Sequence, residues 1–418
     1  MMSLYTMAES ILVPITPQIQ VTLNCNFRCA YCFQDHRSSA VMDPATAEAI
    51  LVKCADHNRS WLRGSERGVV EVFWHGGEPL LAGLDFYREM LRIQANMPDV
   101  VFKNHLQTNG ALLTDGAAQF FLENDFQLGF SLDGPPKIND LNRRTADGHH
   151  SAFAAAMRGI ENFRRHAPPG GRVPIIAVVT RESMSQAEAF HAFFKELGAE
   201  VQLDVYDLRC DDLAPAATEG LFRQAPDEEH IQRFLCRLFD LWFYDPDRSV
   251  DFKELRDDLD LVLRQESILR TPLHKKRCSP GRTIFNPQGL IFACDQYAND
   301  PATAIGDIRE DTIATVMRRK SALWDTIKTV IRKTPEAMAC SQCDWGLSCM
   351  GGCLTCMKYN AMLLAARAQG LPDERWRDMP MPPSLRDLSG ETYYCEALRG
   401  FRRHIQAAVQ CELDKTHD

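Results

Sequence analysis

The first half of the chain alternates between two hydrophobic periods. Short apolar-rich runs with strand character lie at 19–23, 69–74, 101–107, 126–132, 173–180 and 200–206. Between them stand segments whose apolar residues recur every three or four positions, at 84–96, 115–124, 151–166 and 185–197. A period near two marks a strand, and one near 3.6 marks a helix. Asp43 followed by Pro44 reads as an N-cap with proline at the first helical position, opening a further helix to about Asn58. Repeated β–α units of this length imply parallel strands joined by right-handed crossovers. Six such strands predict an α/β fold, a partial (β/α)6 barrel rather than a complete eight-stranded one.

The pattern changes at 211–225, a stretch rich in Ala, Pro, Asp and Glu that marks a boundary. Two helices are expected after it, over 228–243 and 252–270. From Cys278 onward, cysteines punctuate a loop-rich stretch with few long periodic segments, as in a small metal-stapled domain. The expected organisation is a barrel over 1–210, a helical bridge over 211–277 and a cysteine-rich domain over 278–418.

Composition narrows the function. A chain of 418 residues can build a large core without cross-links. Acidic residues outnumber basic ones, 56 to 47, for a net charge of −9. That balance argues against nonspecific nucleic-acid binding and against a polybasic membrane surface. No uninterrupted apolar run approaches the ~18 residues of a membrane-spanning helix, and the first residues lack a basic n-region and a small-residue cleavage site. A cytoplasmic protein is expected, and there structural disulfides are disfavoured. The 15 cysteines therefore point to metal or cluster ligation, with catalytic thiols as the alternative.

The first cysteine group is Cys25, Cys29 and Cys32, spaced C-x3-C-x2-C directly after the first strand. A barrel strand delivers such a loop to the mouth where active sites of this architecture sit. Three thiolates can hold three corners of a [4Fe–4S] cube and leave the fourth iron open to a small molecule. A zinc loop is the alternative, although structural zinc takes four closed ligands. Trp74-His75-Gly76-Gly77-Glu78-Pro79 follows the second strand, Gln107-Thr108-Asn109-Gly110 the third, and Ser131-Leu132-Asp133-Gly134 the fourth. Glycines after the second strand let backbone approach a ligand closely; an ordinary strand-to-helix turn is the competing reading. His75 is expected to pack against the barrel rim.

With these motifs the chain resembles the radical S-adenosylmethionine (SAM) superfamily. The resemblance implies Cys25, Cys29 and Cys32 as ligands of a reducible cluster whose fourth iron binds SAM. It implies Tyr31 as the aromatic before the last cysteine, Gly76, Gly77 and Glu78 as the turn that holds the SAM amino group, and Ser131 and Gln107 as polar groups at the mouth. The implied chemistry is reductive cleavage of SAM to a 5′-deoxyadenosyl radical that abstracts a substrate hydrogen.

The second group, Cys278, Cys294, Cys340, Cys343, Cys349, Cys353 and Cys395, resembles the SPASM domain, which carries two auxiliary [4Fe–4S] clusters, three clusters in all. The likeness implies Cys340, Cys343, Cys349 and Cys395 around one cluster and Cys278, Cys294 and Cys353 around the other. A zinc ribbon is the alternative. No cysteine stands in 270–277, where fully ligated relatives have one, so an open iron or ligation by Cys356 is expected. Asp295 occupies the position of the base in anaerobic sulfatase-maturating enzymes, with an acceptor that orients a cluster ligand, or a turn residue, as the other reading. Cys54 and Cys236 lie in helical patterns and read as buried small hydrophobes; Cys210 lies near the end of the sixth strand, with a cavity-facing position as the less favoured reading.

SPASM-bearing relatives modify peptides or proteins. The leading expectation is maturation of a ribosomal precursor peptide by oxidative cross-linking or ring closure, and the alternative is formylglycine formation in a sulfatase. A non-enzymatic electron-transfer or zinc-stabilised interaction protein is the reading that predicts no SAM cleavage. Only 24 residues precede Cys25 and 23 follow Cys395, so either a separate leader-binding protein or the barrel mouth with 211–270 is expected to bind a leader, and a flavodoxin- or ferredoxin-type electron donor is a further expected partner.

Overall fold

A computed structural model describes residues 13–32, 34, 38–60, 68–206, 226–264, 281–295, 298, 301–320, 344–345 and 395–417. Six β/α repeats run in chain order. They are β1 (Thr16–Thr22), α1 (Pro44–Arg59), β2 (Gly68–Gly76), α2 (Gly83–Ala95), β3 (Val100–Thr108), α3 (Asp115–Glu123) and β4 (Gln127–Ser131), then α4 (Pro136–Asn142) and α5 (Ala152–His166). The series continues with β5 (Val173–Val179), α6 (Arg181–Met184), α7 (Ala187–Glu196) and β6 (Ala199–Val205). After them come α8 (Glu228–Phe243), β7 (Asp251–Phe252), α9 (Lys253–Arg264), β8 (Arg282–Phe285), β9 (Leu290–Phe292), β10 (Gly306–Asp307) and α10 (Cys395–His417). The expected N-cap forms: Asp43 accepts from the Thr46 amide, and Pro44 sits in the first turn of α1.

The chain divides into two compact units. The first contains residues 1–131, 143–171 and 278–326. Its strands are ordered β10-β9-β8-β1-β2-β3-β4, with β8, β1, β2, β3 and β4 parallel and the β8–β9–β10 edge antiparallel. The pattern after Cys278 gave no strand, yet β8 joins β1 in register, Thr16 opposite Arg282 and Gln18 opposite Ile284.

Alternation along β2 explains the layers of this unit. Val70, Val72 and Trp74 are fully buried, and Trp74 meets Phe86 and Tyr87 of α2 edge-on. Its indole donates to Asn104, which Gln94 of α2 also grips through both amide atoms. Phe73 and His75 point to the opposite face. Asn58 of α1 pins the strand starts, accepting from the Ile15 amide at 2.7 Å and donating to the carbonyls of Ile15 and Val69.

The second unit contains residues 132–142, 172–277 and 327–418. Here β5, β6 and β7 are parallel neighbours, and Phe190 of α7 packs with Phe194, Phe234 and Phe252. α10 lies against α8, where Phe401 meets Phe239 edge-on and His404 pairs with Asp240 at 2.7 Å. Arg402 pairs with Asp258 at 2.8 Å, both buried. Among the described residues, no helix is long and apolar enough to cross a membrane.

Candidate functional site

β1 ends at Thr22, and the cysteine loop begins three residues later. Two backbone bonds hold its start against the turn after β2: the Gly77 amide donates to the Thr22 carbonyl at 2.7 Å, and the Glu78 amide to the Asn24 carbonyl at 2.8 Å. The glycines serve this approach. A Cβ on Gly76 would stand 2.2 Å from the Thr22 oxygen, at a φ of +125° that favours glycine, and one on Gly77 would stand 2.0 Å from the Asn24 oxygen. Close backbone approach was expected toward a ligand; the structure displays it toward the chain's own cysteine loop.

Glu78 is 1% exposed. Its carboxylate accepts from the Leu80 amide at 3.0 Å, the Thr108 hydroxyl at 2.7 Å and the Asn109 amide at 2.8 Å, tying the end of β2 to the end of β3. Burial pushes its pKa up to about 7, against the opposing pull of these donors. Asn109 carries the brace onward, donating through Nδ2 to Asn26 at 2.8 Å and lying 3.7 Å from the Cys25 sulfur. A loop after α4 clamps the far side, with the Arg28 amide bonded to the Arg144 carbonyl and the Ala146 amide to the Asn26 carbonyl. Phe27 is buried against Ala152 and Ala155 of α5, with Cys25 and Cys29 packed on the same cluster. Arg143 lies over the Tyr31 ring, 5.6 Å from its centroid.

Cys25, Cys29 and Cys32 are all partly buried. Burial pushes the Cys25 thiol up to about 12; the Phe27 amide opposes the rise, and Glu78, Cys29 and Cys32 add to it. Ionising these thiols beside the Glu78 carboxyl would require compensating positive charge, which bound iron would provide. Among the described residues, no three His, Cys, Asp or Glu side chains gather closely enough for a single metal ion. Three cysteine sulfurs on one loop are the donor type and number that a [4Fe–4S] cube takes when its fourth iron is left open.

Gln107 donates to the Ser131 hydroxyl at 3.0 Å, joining the ends of β3 and β4. Cys294 and Asp295 follow β9, with the Cys294 sulfur 3.4 Å from a carboxylate oxygen of Asp295. The charge of Asp295 is felt at His75, while burial lowers the His75 pKa to about 4, with Arg282 acting in the same direction. The Nδ1 of His75 is buried and has no hydrogen-bond partner among the described residues. His75 stands directly before Gly76 and so was visible in the motif; the placement of Asp295 after β9, in the same unit, was not, because the sequence did not reveal β8 and β9. Asn26, Thr108 and Asn109 were likewise legible only as parts of motifs.

Cys395 opens α10 in the second unit. Cys54 is buried in α1 as expected, and Cys236 is half-buried. Cys278, Cys340, Cys343, Cys349, Cys353, Cys356 and Cys210 lie outside the described residues, as do the whole expected boundary at 211–225 and 265–270 of the expected second helix.

Residues 19–194 match the radical SAM superfamily. A serine-type anaerobic sulfatase-maturating enzyme of Klebsiella aerogenes is 29% identical over 377 residues, covering 88% of this chain and 85% of that protein. An uncharacterised protein of Synechocystis sp. is 30% identical over 355 residues, covering 80% of this chain and 82% of its own length. The solved structure of native anSMEcpe with bound AdoMet and Kp18Cys peptide superposes with a TM-score of 0.75 at 22% identity, covering 96% of this chain and 100% of that one. The structural likeness establishes a shared fold, an α/β partial barrel followed by a cysteine-rich C-terminal region.

Proposed function

The chain belongs to the radical SAM superfamily, and from that premise we propose that it oxidises a cysteine or serine side chain within a peptide or protein segment to an aldehyde, as in sulfatase maturation. Membership implies SAM and a [4Fe–4S] cluster as cofactors. The observation that supports the finer reading is that one unit holds the cysteine loop bonded to the glycine turn and, after β9, Asp295 beside Cys294.

When bound, SAM and the iron–sulfur clusters supply the hydrogen-atom acceptor and the electron acceptor for this oxidation. The chain's residues hold and orient the reactants. Cys25, Cys29 and Cys32 would ligate the first cluster, with Tyr31 beside them. The turn Gly76, Gly77 and Glu78 would bind the SAM amino group, and Ser131, oriented by Gln107, its polar end. Cys278, Cys294 and Cys353, with Cys356 or an open iron, would hold one auxiliary cluster, and Cys340, Cys343, Cys349 and Cys395 the other. Asp295 would take the thiol or hydroxyl proton as the neighbouring carbon loses a hydrogen atom and an electron. For serine this balance gives the aldehyde directly. For cysteine it gives a thioaldehyde, which water converts to the same aldehyde with release of sulfide. A flavodoxin- or ferredoxin-type protein would deliver the starting electron.

One sequence observation favours a second reading, cross-linking of a ribosomal precursor peptide: the absence of cysteine in 270–277, which would leave an auxiliary iron for direct substrate ligation. A leader-binding partner belongs to that reading. The test is anaerobic incubation of reconstituted enzyme with SAM, a reductant and matched cysteine and serine peptides, followed by tandem mass spectrometry and hydrazide capture. An aldehyde at the cysteine or serine is expected. SAM cleavage with both peptides unchanged would sink the proposal, and loss of two hydrogens from a precursor peptide with a fragmentation gap between two residues would make the second reading correct.

A further inference from the structure

Asn109 makes more contacts with the cysteine loop than bracing alone requires. Its backbone amide donates to Glu78 at 2.8 Å, and that bond already ties the end of β3 to the glycine turn. The side chain does something further. Oδ1 accepts from the Ala111 amide at 2.9 Å. A backbone N–H can only donate, so this bond fixes which end of the side-chain amide is oxygen and leaves the NH2 end for the loop. That nitrogen carries two hydrogens. Asn26 Oδ1 takes one at 2.8 Å, and the Cys25 sulfur stands 3.7 Å from the same nitrogen, in reach of the other.

The Phe27 amide meets the same sulfur at 3.3 Å. Phe27 belongs to the loop and moves with it, whereas Asn109 follows the last residue of β3, so the sheet sets where its donor points. Asn109 is 7% exposed, and Gly110 beside it lies close under α5: a Cβ on Gly159 would stand 2.1 Å from the Gly110 oxygen. The amide is thus held on a rigid element and away from water, where a hydrogen bond is electrostatically stronger. A donor aimed at a ligating sulfur draws electron density from it. Hydrogen bonds to the sulfurs are among the factors that set the reduction potential of an iron–sulfur cluster. The reduced cluster carries one more negative charge, so such a donor stabilises it more than the oxidised form and moves the potential upward.

We propose that Asn109 tunes the first cluster: its side-chain amide donates to the Cys25 sulfur and raises the reduction potential, easing the transfer of one electron from the flavodoxin- or ferredoxin-type carrier to the cluster. Asn109 is a positioning residue, acting through Cys25 rather than on SAM or substrate. The inference rests on Cys25 ligating that cluster and is independent of which substrate side chain is oxidised.

The test is a redox titration of anaerobically reconstituted holoenzyme, without peptide, followed by electron paramagnetic resonance. The signal that changes when SAM is added identifies the first cluster. Asn109→Leu keeps the side-chain size and removes the donor. It is expected to shift the reduction equilibrium about tenfold toward the oxidised form, the worth of roughly one hydrogen bond, which for one electron is a fall of about 59 mV. Thr108→Val removes the hydroxyl bond to Glu78, loosening the same brace with the donor intact, and should leave the potential near the wild-type value. Iron content and melting temperature check the fold of both. Equal potentials in wild type and Asn109→Leu overturn the proposal. An equal fall in Thr108→Val does so too, since it would trace the shift to a displaced loop, as does a wild type without a SAM-sensitive signal. If Asn109→Leu fails to hold its cluster, wild-type protein with isotopically labelled asparagine side-chain nitrogen decides instead. Pulsed resonance of the reduced cluster should show coupling to that nitrogen, and its absence overturns the proposal. The expected potentials with no aldehyde formed leave this inference standing and remove the functional reading; an aldehyde with unshifted potentials does the reverse.

Discussion

A Cβ at Gly77 would press on the carbonyl oxygens of Asn24 at 2.0 Å and Leu23 at 2.7 Å, backbone atoms that can yield only if the cysteine loop moves. Gly116, in the first turn of α3, has nothing within 4 Å of the same added atom. Two opposite outcomes are therefore expected from one chemical change. Gly77→Ala should displace the loop, lowering iron retained after reconstitution and the melting temperature together. Gly116→Ala should raise stability by about 0.5–1 kcal/mol, the helix-propensity difference between the residues. Iron assay and thermal melting of both variants check this, and full iron loading in Gly77→Ala would mean that the turn does not brace the loop. The dipeptide Gly76-Gly77 was legible as a place of close approach. What it approaches was not, because that depends on how the ends of β1 and β2 align in space.

The joint between β7 and α9 carries a buried carboxyl that no proposed step uses. Glu254 is 0% exposed, and its Oε2 accepts from the Leu203 amide in β6 at 2.8 Å. Burial pushes its pKa well above the usual carboxyl value, with Asp257 and Asp204 adding to the rise. A folded pKa above the unfolded one gives stability that is complete below the unfolded value, near 4.3. That stability then falls as pH rises toward the folded value, by at most about 1.4 kcal/mol per pH unit. Glu254→Gln keeps an acceptor for Leu203 and removes the ionisation. Denaturant unfolding between roughly pH 4 and 8 should show wild-type stability declining relative to the variant; parallel profiles would mean that Glu254 ionises freely in the fold. At this scale the long elements were legible and the short ones were not. Helices such as Glu228–Phe243 supply several turns of their own period, whereas two-residue β7 and three-residue β9 are too short to display an alternation. α10 is a different case. Leu398, Phe401, Ile405 and Ala408 are buried at helical spacing, but the cysteine spacing before them dominated the reading of that region.

Across the whole chain, what could be read was whatever is written locally. Six β/α repeats each carry their own period, and C-x3-C-x2-C is one loop. The interleaving of the two units was not legible, since it arises when residues 278–326 rejoin the first unit and β8 pairs with β1, some 264 residues away at the Gln18–Arg282 contact. The same interleaving bears on the clusters. Cys294 belongs to the unit that holds Cys25, Cys29 and Cys32, while Cys395 opens a helix of the other. If three cubes form, their ligands come from separate stretches of sequence, and one can be removed without emptying the rest. Anaerobically reconstituted protein should then hold about 12 iron atoms per chain, four for each cluster. The triple variant Cys25→Ala, Cys29→Ala and Cys32→Ala should keep about eight and lose SAM cleavage altogether. Iron and acid-labile sulfide assays on both proteins decide the matter. About four irons in the wild type and none in the variant would leave the C-terminal cysteines without clusters, and would take with them the assignment of Cys294 and Cys395 as ligands.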